Sequence, residues 1–248
     1  MSIVQQQAVQ ELGQAREVRA VHLTPSGSEL CDSDPAIWEI FLDAASQLTS
    51  SDPPKAGTFE WVGGGRFGHV YGLPDSDDMC LKVVTPQTIR SKSYNPHIRL
   101  PNLVTEADFM DLVGERLNTR SDGQIRAPAQ YGVARFAGGS ALLQQRIPDN
   151  FITIKSLMNE TRDAPDIAVL RAKAETILAR TRRALGNSIL LIGLGDTRGV
   201  GKVVNAGNFF VERDKSTKDS DVYVIDLVGY SRRSQTRAAT AVRLARHH

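Results

Sequence analysis

The residues best suited to chemistry begin with Gly63-Gly64-Gly65-Arg66-Phe67-Gly68-His69-Val70. This run fits Gly-x-Gly-x-x-Gly-x-Val, with Gly63, Gly65, Gly68 and Val70 in the fixed places. Glycine there lets backbone approach phosphate oxygens where a Cβ would collide. The same spacing occurs in dinucleotide-binding turns, but those run directly into a helix. Here His69-Val70-Tyr71-Gly72-Leu73 has strand character and Pro74 soon ends it. A glycine turn between two strands is another known way to cover nucleotide phosphates.

Lys82 lies in the next apolar run, Cys80-Leu81-Lys82-Val83-Val84. An ammonium there is costly unless it is paired or points outward. Alternation sends Leu81 and Val83 to the opposite face. An exposed strand lysine also satisfies this pattern; the upstream glycine turn favours a phosphate-positioning role. Such a lysine needs a carboxylate to fix it, and Glu106 is the best candidate. With Met110, Val113 and Leu117 it falls at i, i+4, i+7 and i+11 of a helix predicted over 103–117. An acid on that apolar face asks for a partner, although the helix dipole alone also favours an acid so near an N-terminus. Asp108, Asp111 and Glu115 fall away from the stripe and read as solvated charges.

The elements that must position these groups are legible in outline. Asp34 and Pro35 predict the start of a helix carrying Ile37, Phe41, Ala44 and Leu48 at helical spacing. Residues 50–54 read as a linker. Short strands flank the glycine turn, 72–78 is a hairpin turn, and 131–136 and 141–145 are two further strands after the 103–117 helix. A second long helix is predicted over 163–185, with Ile167, Leu170, Ala174 and Ile177 on one stripe and Gly186 at its end. Two short strands, 208–211 and 223–225, close the pattern.

From Phe59 to Asp226 the chain resembles the protein-kinase-like superfamily. The resemblance is closest to small, pruned members such as RIO-type and lipopolysaccharide core kinases. It implies an α+β, bilobal kinase-like fold with an antiparallel-sheet N-lobe and a reduced helical C-lobe. The corresponding division is a helical extension over 1–57, an N-lobe over 58–147 and a C-lobe over 148–248. It further implies that Ala141-Leu142-Leu143-Gln144-Gln145 leads into a hinge, Arg146-Ile147-Pro148, where Gln145 and Ile147 would hold the adenine of ATP. Asn205-Ala206-Gly207-Asn208 resembles the end of the catalytic loop, and Tyr223-Val224-Ile225-Asp226 the strand bearing the main magnesium carboxylate. Asn208 and Asp226 are then the Mg2+ ligands, both oxygen donors suited to a hard cation that bridges phosphates.

The family pattern fails at its catalytic Asp. Counting back five residues from Asn208 reaches Val203, which can neither accept a proton nor orient a hydroxyl. Either Gly195-Asp196 is the family's Gly-Asp, with 197–204 inserted before Asn208, or the catalytic Asp is lost and the chain is a pseudokinase acting as a scaffold. In the first case Asp196 is the catalytic base; in the second, Lys202 could offset phosphate charge. Asp226-Leu227-Val228-Gly229 departs from Asp-Phe-Gly, and too few residues follow it for a peptide-binding helical subdomain.

Composition narrows the partners. A net charge of +2 is too small to imply nucleic acid or membrane by itself. Between Leu227 and His248 stand Arg232, Arg233, Arg237, Arg243 and Arg246 with no acid, which is either a solvated terminal helix or a surface for an anionic partner. Cys31 and Cys80 have neither disulfide-framework nor zinc spacing, so a reducing compartment fits. With no signal peptide or membrane-length apolar run, the expectation is a cytoplasmic ATP/Mg2+-dependent phosphotransferase with an unidentified acceptor.

Overall fold

The computed structural model describes residues 18–50, 57–64, 68–86, 102–121, 123–161, 163–185, 206–213 and 221–225, with the backbone of 195–196 and 203–204. Gly65, Gly186, Asp226, the 51–54 part of the linker and the arginine-rich tail lie outside the described residues. The chain divides into two compact units, Met1–Asp111 with Ala129–Arg146, and Leu112–Pro128 with Ile147–His248. The fold is α+β.

The first unit is built on a six-stranded antiparallel sheet. Its strands are β1 (Ala20–Leu23), β2 (Trp61–Gly64), β3 (His69–Gly72), β4 (Met79–Val84), β6 (Gln130–Arg135) and β7 (Ser140–Gln145), ordered β1-β6-β7-β4-β3-β2. Strand alternation gives the sheet two apolar faces. Leu81, Val83, Ala141, Leu143 and Ala134 pack against helix α2 (Ala36–Thr49), whose Trp38, Phe41 and Leu42 are fully buried. Each of those side chains contributes about 1.5–3 kcal/mol of burial. On the other face Val84, Val133 and Leu142 form a smaller cluster with Leu103 and Ala107 of helix α3 (Leu103–Arg120).

Residues 20–49 thus add a strand and two helices to this unit rather than standing apart from it. Helix α1 (Pro25–Ser33) has Thr24 as its N-cap, accepting the Gly27 N–H at 3.0 Å, and Pro25 opens its first turn. The expected cap of α2 is corrected. Asp34 instead ends α1, donating its N–H to the Leu30 carbonyl at 2.8 Å, and Pro35 occupies the cap position of α2 without a side-chain bond. The preceding helix, invisible to the periodicity of α2, had already claimed that residue.

The second unit contains a four-stranded sheet, order β5-β12-β11-β8, from β5 (Ile125–Arg126), β8 (Phe151–Thr153), β11 (Phe209–Glu212) and β12 (Val222–Val224). Only the β12–β5 pair is parallel. Helices α4 (Ile154–Glu160) and α5 (Ala164–Leu185) belong to it, as does α3 from Leu112 onward. Ala174 and Ile177 of the predicted α5 stripe are buried, and Ile167 and Leu170 are half-buried. A short ladder pairs β9 (Gly195–Asp196) with β10 (Val203–Val204). No helix among the described residues is long and apolar enough to cross a membrane.

Candidate functional site

Three neighbouring strands carry Gly63, Val70 and Lys82 of the predicted nucleotide-binding set. Gly63 pairs with Val70, and Val70 with Lys82, so these three stand side by side across β2, β3 and β4. A register shift between Trp61 and Gly63 marks a bulge just before the glycines. The glycines differ in what they meet. A Cβ on Gly63 would have nothing within 4 Å, whereas one on Gly68 would stand 2.9 Å from the Val83 carbonyl. Gly68 is therefore required by the close approach of β4, whatever ligand the turn receives.

Lys82 Nζ lies 2.5 Å from Glu106 Oε1, and both side chains are largely out of solvent, at 13% and 8% exposure. Taking two charges out of water is expensive, and a lone one more so, which ties each side chain to the other. The pairing places a glutamate of α3 against the lysine strand, whose Lys82 is in register with Val70 of β3.

The flank of α3 away from Glu106 corrects a second expectation. Asp108 and Asp111 are not simply solvated: His22 Nε2 lies 2.7 Å from Asp108 Oδ1, and Ser26 donates its hydroxyl to Asp111 Oδ1 at 2.5 Å. Helical spacing correctly excluded both aspartates from the apolar stripe but says nothing of what reaches them from elsewhere in the chain. His22 carried no local signal. The Thr24-Pro25 pair did, as a helix start.

At the far end of β4 and β7, Cys80 pairs with Gln144 and Met79 with Gln145. Gln145 gives its N–H to the Ala129 carbonyl at 2.8 Å, and Arg146 gives its own to Asp78 at 2.7 Å. The Arg146 guanidinium grips Glu60 with two bonds of 2.6 and 2.8 Å. The chain entering the predicted hinge is thus held by its backbone and by a bidentate ion pair. Ile147 opens the second stretch of the second unit.

Burial pushes the Cys80 thiol up to about 11 from an ordinary 9.0, against smaller lowering effects of Gln144 and Arg146. A group whose folded value is raised contributes stability below its unfolded value and loses it as pH climbs through the folded one. The window is therefore pH 9 to 11, and the loss is about 2–3 kcal/mol. Denaturant midpoints measured across that window should fall more steeply in wild type than in Cys80→Ala.

In the second unit, Asn208 closes the 3-10 turn Ala206–Asn208, is buried, and accepts the Ile225 N–H on its carbonyl at 3.0 Å. Asn208 is therefore bonded to the residue immediately before Asp226. Antiparallel register sets Asp196 opposite Val203. Among the described residues no group of three or more His, Cys, Asp or Glu is placed to hold a metal ion.

No family model matches the chain, and no curated protein matches it. Among solved structures, it is similar to a double-substituted form of the Mycobacterium tuberculosis PknI kinase domain, at 16% identity and a TM-score of 0.36. The match covers 70% of this chain and 61% of that one, so the chain spans about three fifths of that kinase domain. A similarity of this size establishes neither an activity nor a family for this chain.

Proposed function

We propose that the chain is an ATP- and magnesium-dependent phosphotransferase of kinase type, acting on a hydroxyl acceptor. The observation that carries this reading is the Lys82–Glu106 pair, set largely out of solvent, with Lys82 in register with Val70 and Val70 with Gly63. Gly63, Gly65 and Gly68 would cover the phosphates, Lys82 would position them under the control of Glu106, and Val70, Gln145 and Ile147 would line the base. Asn208 and Asp226 would hold Mg2+, which when bound neutralises charge on the phosphates. The protein's own work is then orientation and fixed charge, the main contributions to phosphoryl transfer.

Asp196 is the proposed residue that orients the acceptor hydroxyl and takes its proton. The β9–β10 register supports it, because it sets Asp196 opposite Val203, the residue that stands where the kinase pattern has its Asp. Val203 itself favours a second reading, a pseudokinase acting as a nucleotide-binding or protein-interaction scaffold without phosphate transfer. The arginine-rich tail suits an anionic acceptor or partner. The two free thiols fit the cytoplasmic location we propose.

Two measurements test this. Millimolar ATP with Mg2+ should raise the melting temperature, since a ligand of the native state must stabilise it; no rise sinks the phosphotransferase and leaves only a scaffold that binds no nucleotide. Transfer of labelled γ-phosphate should be seen with wild type. It should fall about 10²-fold or more in Asp196→Asn, while the ATP-induced rise in melting temperature persists. Asp226→Asn should remove the magnesium dependence of that rise. Stabilisation without transfer would favour the scaffold.

A further inference from the structure

Helix α3 is held from two sides, and the second side is supplied by residues 22–27. Positions on a helix advance by about 100° each. Leu103, Ala107, Phe109 and Met110 are buried, with Glu106 among them on the inward face, while Asp108 and Asp111 lie off one side of it. Glu106 reaches Lys82 on β4, while Asp108 and Asp111 meet His22 and Ser26. Turning α3 about its axis so as to withdraw Glu106 would also break the His22 and Ser26 contacts. The apolar cluster under this half of α3 is small, so polar ties matter more here than on the α2 face.

The anchor behind these ties is firm. His22 pairs with Val133 across β1 and β6, on the α3 face of the sheet. Thr24 is buried and donates its hydroxyl to the Gln130 carbonyl at 2.5 Å. Gly27 lies so close to β6 that a Cβ would stand 1.6 Å from the Tyr131 carbonyl oxygen. His22 and Ser26 are thus presented to α3 from a segment fixed to the sheet.

We propose that His22 and Ser26 are positioning residues, which seat α3 so that Glu106 engages Lys82 and prepares the nucleotide site. This rests on the nucleotide reading for its consequence, but not for its first readout. In ligand-free protein, amide hydrogen exchange over 103–111 should rise about fivefold in His22→Ala/Ser26→Ala, as expected for two partly exposed contacts. Exchange over 79–84 and 140–145 should stay at the wild-type rate. If the double variant fails to fold, Asp108→Asn alone should give the same local rise.

The second readout is the dissociation constant of ATP with Mg2+. The double variant should weaken it about fivefold when Glu106 is present and leave it unchanged in a Glu106→Gln background, the coupling expected of residues acting through one another. Unchanged exchange over 103–111, a rise spread evenly over the unit, or an equal loss of affinity in both backgrounds would each overturn the proposal. If wild type binds no ATP, the nucleotide reading falls, and the exchange comparison alone decides whether His22 and Ser26 seat the helix.

Discussion

Lys82→Met is expected to lower the free energy of unfolding by about 2–4 kcal/mol and to cut phosphate transfer by about 10²–10³. The stability loss comes from Glu106, left with its charge largely out of water and its ammonium partner gone. The functional loss has a different origin: a fixed positive charge is removed from the place where phosphate charge would gather. The two effects separate in a double substitution. Lys82→Met with Glu106→Leu replaces the pair by apolar side chains and should recover most of the stability, because a buried ion pair is often no better than its apolar replacement. It should recover none of the transfer or of the ATP-induced rise in melting temperature. Recovery of nucleotide binding in that variant would show that the pair is a structural tie.

Gly27→Ala should cost about 3 kcal/mol or more, read as a shift in the urea midpoint at constant slope. The added Cβ meets a backbone carbonyl oxygen at 1.6 Å and its carbon at 2.6 Å, and backbone cannot swing aside as a side-chain tip can. Relief requires α1 to lift from β6, which also strains the Thr24 bonds to Gln130 and Tyr131. Gly63→Ala is the natural contrast. Its Cβ meets nothing within 4 Å, so stability should change by no more than about 0.5 kcal/mol. A loss of ATP-induced stabilisation in Gly63→Ala would then report on ligand approach alone. The two glycines are alike in sequence and opposite in what they must avoid.

Regular elements were legible where a period repeats over several turns or strands. The helix at 103–117 is observed as Leu103–Arg120, that at 163–185 as Ala164–Leu185, and the strands at 131–136 and 141–145 as Gln130–Arg135 and Ser140–Gln145. The Lys82–Glu106 contact was legible too, because a charged residue in an apolar run and an acid on an apolar helix stripe each lack a local partner. Residues 20–33 were not. A four-residue strand and a nine-residue helix carry too little periodicity to stand out, and β1 is a strand only because the edge of β6 accepts it.

By itself the sequence determined which groups could do chemistry: the glycine run, Lys82 and Glu106. These follow from residue type and spacing, which local sterics and the costs of burial dictate. Only the tertiary structure decided that Gly68 answers to the backbone of β4, that Asp108 and Asp111 are met by His22 and Ser26, and that Asp196 shares a ladder rung with Val203. Each of those depends on strands or helices far apart in the chain coming into register, and neither periodicity nor spacing encodes which distant partner arrives.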